Sequence, residues 1–250
     1  WALARAASGA GVAIVHNLHR RIEATRTRLR AAIKAIPAAA RPEIIEITGR
    51  LDSRRRAAAE ERLRTLFGRS GSRAPANGVV VIGTQVLEES LDLDFDDLAT
   101  DPAPIDRLLQ RAGRLHRFRS IEARNPATLH IVGVVDAKAG PSWPPYTASI
   151  YQQAVLLRTW AVVRDRTALC LPADGPPLVD AVYGADDEVS CPSGWASRWR
   201  KANTQMQRVR NQDRRRAANL YLPPPIAEDS LLKMTMDPKF RGQTRKPDGR

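Results

Sequence analysis

The chemistry-bearing residues of this sequence concentrate in Val79–Arg117. An apolar run, Val79–Ile82, gives way to Gly83-Thr84-Gln85 and then to Glu88-Glu89-Ser90-Leu91-Asp92-Leu93-Asp94. A strand followed by a polar turn presents ligand-binding groups at the carboxyl edge of a parallel sheet. Asp92 and Asp94 are two apart, so an extended backbone places both on one face, toward a single solvated site. A carboxylate there accepts hydrogen bonds from ribose hydroxyls, and the Thr84 hydroxyl with neighbouring amides suits a nucleic-acid phosphate. The acidic pair also admits glycoside-type acid–base chemistry or a metal, although no His ligand accompanies it. A turn that merely caps and solubilises is the plain structural alternative.

Gln110-Arg111-Ala112-Gly113-Arg114-Leu115-His116-Arg117 sharpens the choice. Arg114 and Arg117 are three apart, which puts both guanidinium groups on one side of a helical turn. Two such groups facing a triphosphate neutralise charge on the γ-phosphoryl oxygens as it leaves, an arginine-finger role that accelerates hydrolysis on the order of 10³–10⁵-fold. Gln110 supplies an amide to position water or contact a phosphate, and Gly113 allows a tight backbone turn. A solvated basic patch is the alternative, and the acidic turn just upstream weighs against it.

These residues need a rigid frame. Gly11–Val15, Glu43–Ile47, Val79–Ile82 and Leu129–Val135 are short aliphatic or β-branched runs, with Phe95–Thr100 a weaker fifth. Most are too apolar for half-exposed strands and suit a parallel sheet covered on both faces. Helical stretches at Leu18–Ile36, ended by Pro37, and Ser53–Phe67, capped by Asp52 or Ser53 and ended by Gly68, separate the first three runs. The alternation predicts an α/β fold of doubly wound type. Pro104 opens a short helix through Leu108–Arg111. Beyond residue 138 the pattern changes: Pro141–Pro145 is a turn, Ala148–Arg164 a helix, and Trp195–Ala218 a basic helix broken by Pro223–Pro225. That helix is either a solvated face or a track for DNA, and Trp195 and Trp199, four apart, are expected to dock it. Tyr151 and Trp160, at helical spacing, read as core.

Composition narrows the partners. Among 250 residues, 40 Lys+Arg oppose 27 Asp+Glu, a net charge of +13 that favours nucleic acid first and an anionic membrane surface second. Basic ends alone would give the same number. No apolar run approaches membrane-spanning length, and Cys170 and Cys191 lack companions at metal-ligand spacing, so a cytoplasmic protein with reduced thiols is expected. His16, His19, His116 and His130 are scattered, and no metal site is expected. No Gly-x-x-x-x-Gly-Lys-Ser/Thr loop occurs, so nothing in the chain cradles a β-phosphate. The start at Trp1 and the polar end Lys-Pro-Asp-Gly-Arg look cut.

Thr84–Asp96 resembles motif V of superfamily 2 helicases, and Gln110–Arg117 resembles motif VI. Ser90-Leu-Asp-Leu-Asp-Phe-Asp96, then Asp101-Pro-Ala-Pro-Ile-Asp-Arg-Leu-Leu109, then Gln110–Arg117 is similar to the CRISPR-associated type I helicase–nuclease family. Generic DEAD-box proteins have Arg-Gly where Glu89-Ser90 stands and His in place of Gln110. Val12–Asn17 resembles the motif IV strand and its exit, and Thr48-Gly-Arg50, with Arg56 and Glu60, the next block, although that family more often has His at Thr48. The likeness is good over residues 10–135 and looser through Tyr146–Asp165, the basic helix and Leu222–Pro225, which look like the family's linker.

The resemblance implies a second RecA-like motor domain at 1–138, a helical, Pro-rich, basic linker packing on it at 139–222, and a connector at 223–250 to a further domain. By the same resemblance Arg114, Arg117 and Gln110 are catalytic, and Asp92, Gly113 and both arginines meet ATP. Thr84, Arg50 and Asn17 contact nucleic acid, and Arg111 pairs with local carboxylates. Mg²⁺ belongs mainly to the first RecA-like domain, supplied in cis or in trans, so this chain alone hydrolyses no ATP. Single-stranded DNA and an RNA-guided surveillance complex are the implied partners, with 3′–5′ translocation and unwinding at a target R-loop. An RNA helicase, a restriction-type translocase or a non-catalytic nucleic-acid-binding relic are the alternatives.

Overall fold

The computed structural model describes residues 1–71, 75–89, 91–118, 126–184 and 189–219. Trp1–Met206 make one compact unit, and Gln207–Arg250 a second, of which 207–219 are described. The expected connector at 223–250 therefore lies outside the described residues.

Five strands form a wholly parallel sheet: β1 (Gly11–Val15), β2 (Glu43–Ile47), β3 (Val79–Gly83), β4 (Asp97–Thr100) and β5 (Thr128–Ile131), in the order β2-β3-β1-β4-β5. The apolar runs become strands because both faces are covered. Ala13, Val15, Val79 and Val81 point to one face, against Leu63, Leu66 and Phe67 of helix α3 (Ser53–Phe67). Val12, Ile14, Val80 and Ile82 point to the other, against α1 (Ala2–Ala7) and Ile22 and Leu29 of α2 (His19–Ala32). Alternating strand residues thus feed two cores, each buried Leu or Ile stabilising by about 2 kcal/mol. Asp52 caps α3, its side chain accepting from the Arg55 amide at 2.9 Å. Gly78 has φ +68°, and a Cβ there would run into the Ala6 and Ala10 carbonyls, so only glycine turns the chain into β3.

The weaker fifth run is shorter than expected. Phe95 makes only an isolated bridge to Leu115, because residues 91–96 are spent returning the chain from the carboxyl end of β3 to the amino end of β4. The helix expected over Ala148–Arg164 is two, α6 (Thr147–Ile150) and α7 (Gln153–Val163). Tyr151 between them is extended and reaches Asn17 Oδ1 at 3.4 Å, so a tertiary contact breaks a helix that propensity would continue. Tyr151 and Trp160 are half-buried at the edge of the packing rather than in its centre.

α5 (Ile105–Ala112) leaves the carboxyl end of β4 and carries the arginine segment. A helical annex packs on it: Ile105 shares a core with α7, α8 (Gly175–Tyr183) and the first half of α9 (Ala196–Asn219). Trp195 and Trp199 dock α9 as expected, 1% and 8% exposed with ring centroids 6.5 Å apart. Two polar links fasten the annex: Thr159 Oγ1 accepts from the Ile105 amide at 3.1 Å, and the Tyr183 hydroxyl donates to Asp106 at 2.5 Å. Burial, with Asp106 next to it, pushes the Tyr183 phenol well above its usual range, so it remains a donor. No helix among the described residues is long and apolar enough to cross a membrane.

Asp101, just past β4, ties three elements together. Its carboxylate accepts from the Asn17 amide at 3.0 Å and from Arg21 Nε at 2.9 Å, and lies 3.1 Å from His16 Nδ1. Burial opposes its charge, yet these partners hold the carboxyl below the usual 3.8. A depressed carboxyl stabilises the fold above its unfolded-state value and stops doing so as pH falls through its folded value. Urea unfolding should therefore show Asp101→Asn losing about 2–3 kcal/mol at neutral pH, with the difference from the parent shrinking below pH 3.8. A constant difference from neutral to acid would contradict this account.

Candidate functional site

Arg50, Thr84 and Asn17 follow β2, β3 and β1, three neighbouring strands, at their carboxyl ends. Arg50 is exposed in the turn after β2, its amide donating to Thr48 Oγ1 at 3.3 Å. Thr84 is half-buried, its amide donating to Ile47 O at 3.3 Å across the β2–β3 edge. Asn17 is buried and internally engaged: Nδ2 donates to Pro102 O at 2.8 Å, and Oδ1 accepts from Arg111 at 3.1 Å. Arg50 and Thr84 thus face outward, while Asn17 ties the strand exit to α5.

Arg114, Arg117 and Asp92 come together. Arg114 Nη1 and Arg117 Nε meet the same Asp92 oxygen at 2.9 and 2.7 Å, and Arg114 Nη2 donates to the Glu88 carbonyl at 2.5 Å. Asp92 is 58% exposed, so the two cations share one solvated carboxylate and leave the cluster net positive. Arg114 Nε is buried without a hydrogen-bond partner among the described residues. Burial, and then Arg117 beside it, push the Arg114 guanidinium below its usual range, opposed by Asp92, and it stays charged at neutral pH.

The two acids do not share one site. Asp94 is 1% exposed and accepts the Arg117 amide at 3.0 Å, while Asp92 lies at the surface. Period-two spacing predicts a common face only for a straight strand, and residues 91–94 are irregular. Arg114 and Arg117 likewise lie beyond the helix, which ends at Ala112. Gly113 holds the turn with φ −66°, inside the range open to any residue. Phe95 and Arg114 exchange backbone contact (Phe95 N to Arg114 O, 2.8 Å), which fixes the loop's height. Gln110 is exposed, its Oε1 accepting from Arg107 at 3.4 Å.

Glu88 is the residue that sequence reasoning missed. It is buried, and its carboxylate holds Arg111 at 2.5–2.7 Å and Arg107 at 3.5 Å while its carbonyl holds Arg114. Arg111, fully buried, spends its remaining nitrogens on Thr100 Oγ1, the Asp101 carbonyl and Asn17 Oδ1. Its pairing with a local carboxylate is the expected one. The signal in the sequence was Arg111 itself, three residues after Leu108 and six after Ile105 on the otherwise apolar face of α5. Among the described residues no cluster of three His, Cys, Asp or Glu is arranged to hold a metal.

The fold that carries these residues has counterparts among known proteins. A family model described as the C-terminal region of the CRISPR-associated nuclease/helicase Cas3 matches residues 8–120. Residues 8–120 are thus similar to the Cas3 C-terminal region. The Cas3 endonuclease/helicase of Thermus thermophilus is 37% identical over 157 residues, 63% of this chain and 17% of that protein. The crystal structure of T. fusca Cas3-ADP superimposes with a TM-score of 0.66 at 28% identity, covering 83% of this chain and 24% of that one. A CRISPR RNA-guided surveillance complex in a pre-nicking state contains a chain matching with a TM-score of 0.62 at 28% identity, over 80% of this chain and 24% of that one. The five-stranded parallel sheet is thus the RecA-like fold of Cas3 structures, and this chain spans under a quarter of its Cas3 relatives.

Within this Cas3-like domain the Glu88–Arg111 pair is expected to be costly to break. Glu88→Ala or Arg111→Met alone should lose about 3–5 kcal/mol in urea unfolding, because each leaves a buried charge unpaired. Glu88→Leu combined with Arg111→Met should cost less than the two singles added. Single variants within ~0.5 kcal/mol of the parent would sink the pair's structural role.

Proposed function

We propose that this chain is the second motor domain of an ATP-driven, single-stranded DNA translocase and helicase of CRISPR defence, working 3′–5′ at a target R-loop. The observation that carries it is the pair Arg114 and Arg117, gathered on one exposed carboxylate at 2.9 and 2.7 Å. An anion arriving from outside meets two guanidinium groups already preorganised on Asp92. These residues fit a triphosphate approached from one side only. The chain holds no Gly-Lys-Ser/Thr loop, so the phosphate cradle and most of the Mg²⁺ site come from a first RecA-like domain, in cis or in trans. Hence the chain alone is inactive.

ATP, when bound, supplies the scissile phosphoanhydride. Cleft closure moves Arg114 and Arg117 from Asp92 onto the γ-phosphoryl oxygens, with Gln110 orienting water. Asp92, released, accepts from ribose hydroxyls. Thr84 and Arg50, at the outward carboxyl edge, hold the DNA backbone, and Asn17 positions that edge from within. Alternation of the closed and open states steps the strand. Residues 1–138 form the motor, with the helical annex packed on it through Ile105. The likeness to a chain of an RNA-guided surveillance complex supports recruitment of this chain to such a complex, and the likeness to Cas3-ADP supports a bound nucleotide.

The test joins the chain to an amino-terminal RecA-like domain bearing the phosphate loop and measures DNA-stimulated ATPase. Arg114→Ala and Arg117→Ala should each lower kcat on the order of 10³-fold with a smaller change in KM. Arg114→Lys should recover little, since lysine lacks the planar fork. Unchanged kcat in both alanine variants would overturn the finger assignment, and stimulation by RNA over DNA would move the substrate to an RNA helicase.

A further inference from the structure

α9 changes character along its length. Through Met206 it is an anchored helix, with Trp195, Trp199, Ala202 and Met206 buried at spacings of four, three and four in the annex core. From Arg208 to Ala218 no described side chain is buried, and the apolar residues are only Val209, Ala217 and Ala218. Five arginines, Arg208, Arg210, Arg214, Arg215 and Arg216, stand against one acid, Asp213. Among the described residues their one ion pair is Arg216–Asp213, at 3.8 Å and both ends exposed. Arg210 and Arg214 are four apart and repel, flanking a shallow depression with Asp213 and Ala217. A helical segment polar all round, this short and carrying repelling pairs, gains little from its own interactions.

We propose that the arginine-bearing end of α9, residues 208–216, is a contact site for the phosphodiester backbone of nucleic acid, apart from the Thr84–Arg50 edge. The segment has no apolar face with which to enter a membrane interface and no aromatic anchor of the kind that fastens a protein partner. What it offers is a series of guanidinium forks interleaved with Asn211 and Gln212, donors suited to phosphate oxygens. Arg208 to Arg216 spans ~12 Å at ~1.5 Å per residue, the reach of roughly three or four phosphates at ~3.4 Å each. With no aromatic residue there to stack bases, the contact is independent of sequence. It does not depend on the arginine fingers of the proposed motor.

The experiment uses the whole 250-residue chain. Binding of a fluorescent single-stranded oligonucleotide, and of the matching duplex, is followed by anisotropy across a salt series. Variants are Arg208, Arg210, Arg214 and Arg215 all →Gln, and the same four →Lys. The Gln variant should bind at least about tenfold more weakly, its log–log salt slope falling by about 0.7 per lost contact on single strands or 0.9 on duplex. Whichever nucleic acid shows the larger fall is the ligand. The Lys variant should keep most of the affinity and slope, and far-UV circular dichroism should report unchanged helicity in both, since Gln is as good a helix former as Arg. Arg114→Ala should leave this binding unaltered, so failure of the motor reading and failure of this one give different results. Parent-like affinity and slope in the Gln variant would overturn the proposal. So would poly-glutamate displacing the oligonucleotide at equal charge, which would assign the surface to an acidic protein.

Discussion

The buried Glu88–Arg111 pair is the constraint on which the site rests. An arginine with no solvent exposure is tolerable only if every donor is met, and here the acceptors come from four separate places: Glu88, Asn17, Thr100 and the Asp101 carbonyl. Those residues follow β3, follow β1, end β4 and follow β4. One side chain of α5 therefore sets the positions of three strand exits relative to the arginine loop. A hydrophobic residue of similar size could fill the space, but it would not specify the angle. The ion pair has a geometry to satisfy, and the cost of leaving it unsatisfied enforces that geometry.

The same carbonyl-and-carboxylate logic explains why the surface arginines are ready yet unspent. Glu88 holds Arg111 with its side chain and Arg114 with its backbone, so the buried and exposed halves of the segment are mechanically one. The Arg114 side chain is only 13% exposed, which strengthens any charge it meets, while Asp92 remains largely in water and competes weakly. An exposed carboxylate shared by two cations is a weak holder. That balance favours transfer to a more highly charged anion over a permanent surface ion pair.

Much of this was legible in the sequence, for reasons that also mark where legibility ends. β1 and β3 are readable because strands buried on both faces must be apolar throughout, and Asp52 is readable because caps are local. The arginine segment is readable because its residue types are rare together. What could not be read depends on tertiary position. Asp92 and Asp94 look equivalent in sequence, and only the irregular return path toward β4 separates a surface carboxylate from a buried one. The break between α6 and α7 is set by Tyr151 reaching Asn17, a contact between residues far apart in the chain. Glu88 reads as one more acid in an acidic turn until Arg111 is seen beneath it.

The annex makes the arrangement asymmetric in a way that bears on motion. α5 is gripped at its amino end by Thr159 and Tyr183 and near its carboxyl end by Glu88, Thr100 and Asn17. A helix fastened at both ends moves as a rigid body with what it is fastened to, and the loop beyond it is held by the Phe95–Arg114 and His116–Phe95 backbone bonds and by the Arg117 amide donating to the Asp94 carboxylate. The rearrangement open to the arginines is therefore a side-chain one: guanidinium groups swing off Asp92 while the backbone stays. In the proposed motor, interdomain closure need supply only the anion. Rigid support beneath and weak retention above are the conditions under which two cations can be placed accurately without being locked in place.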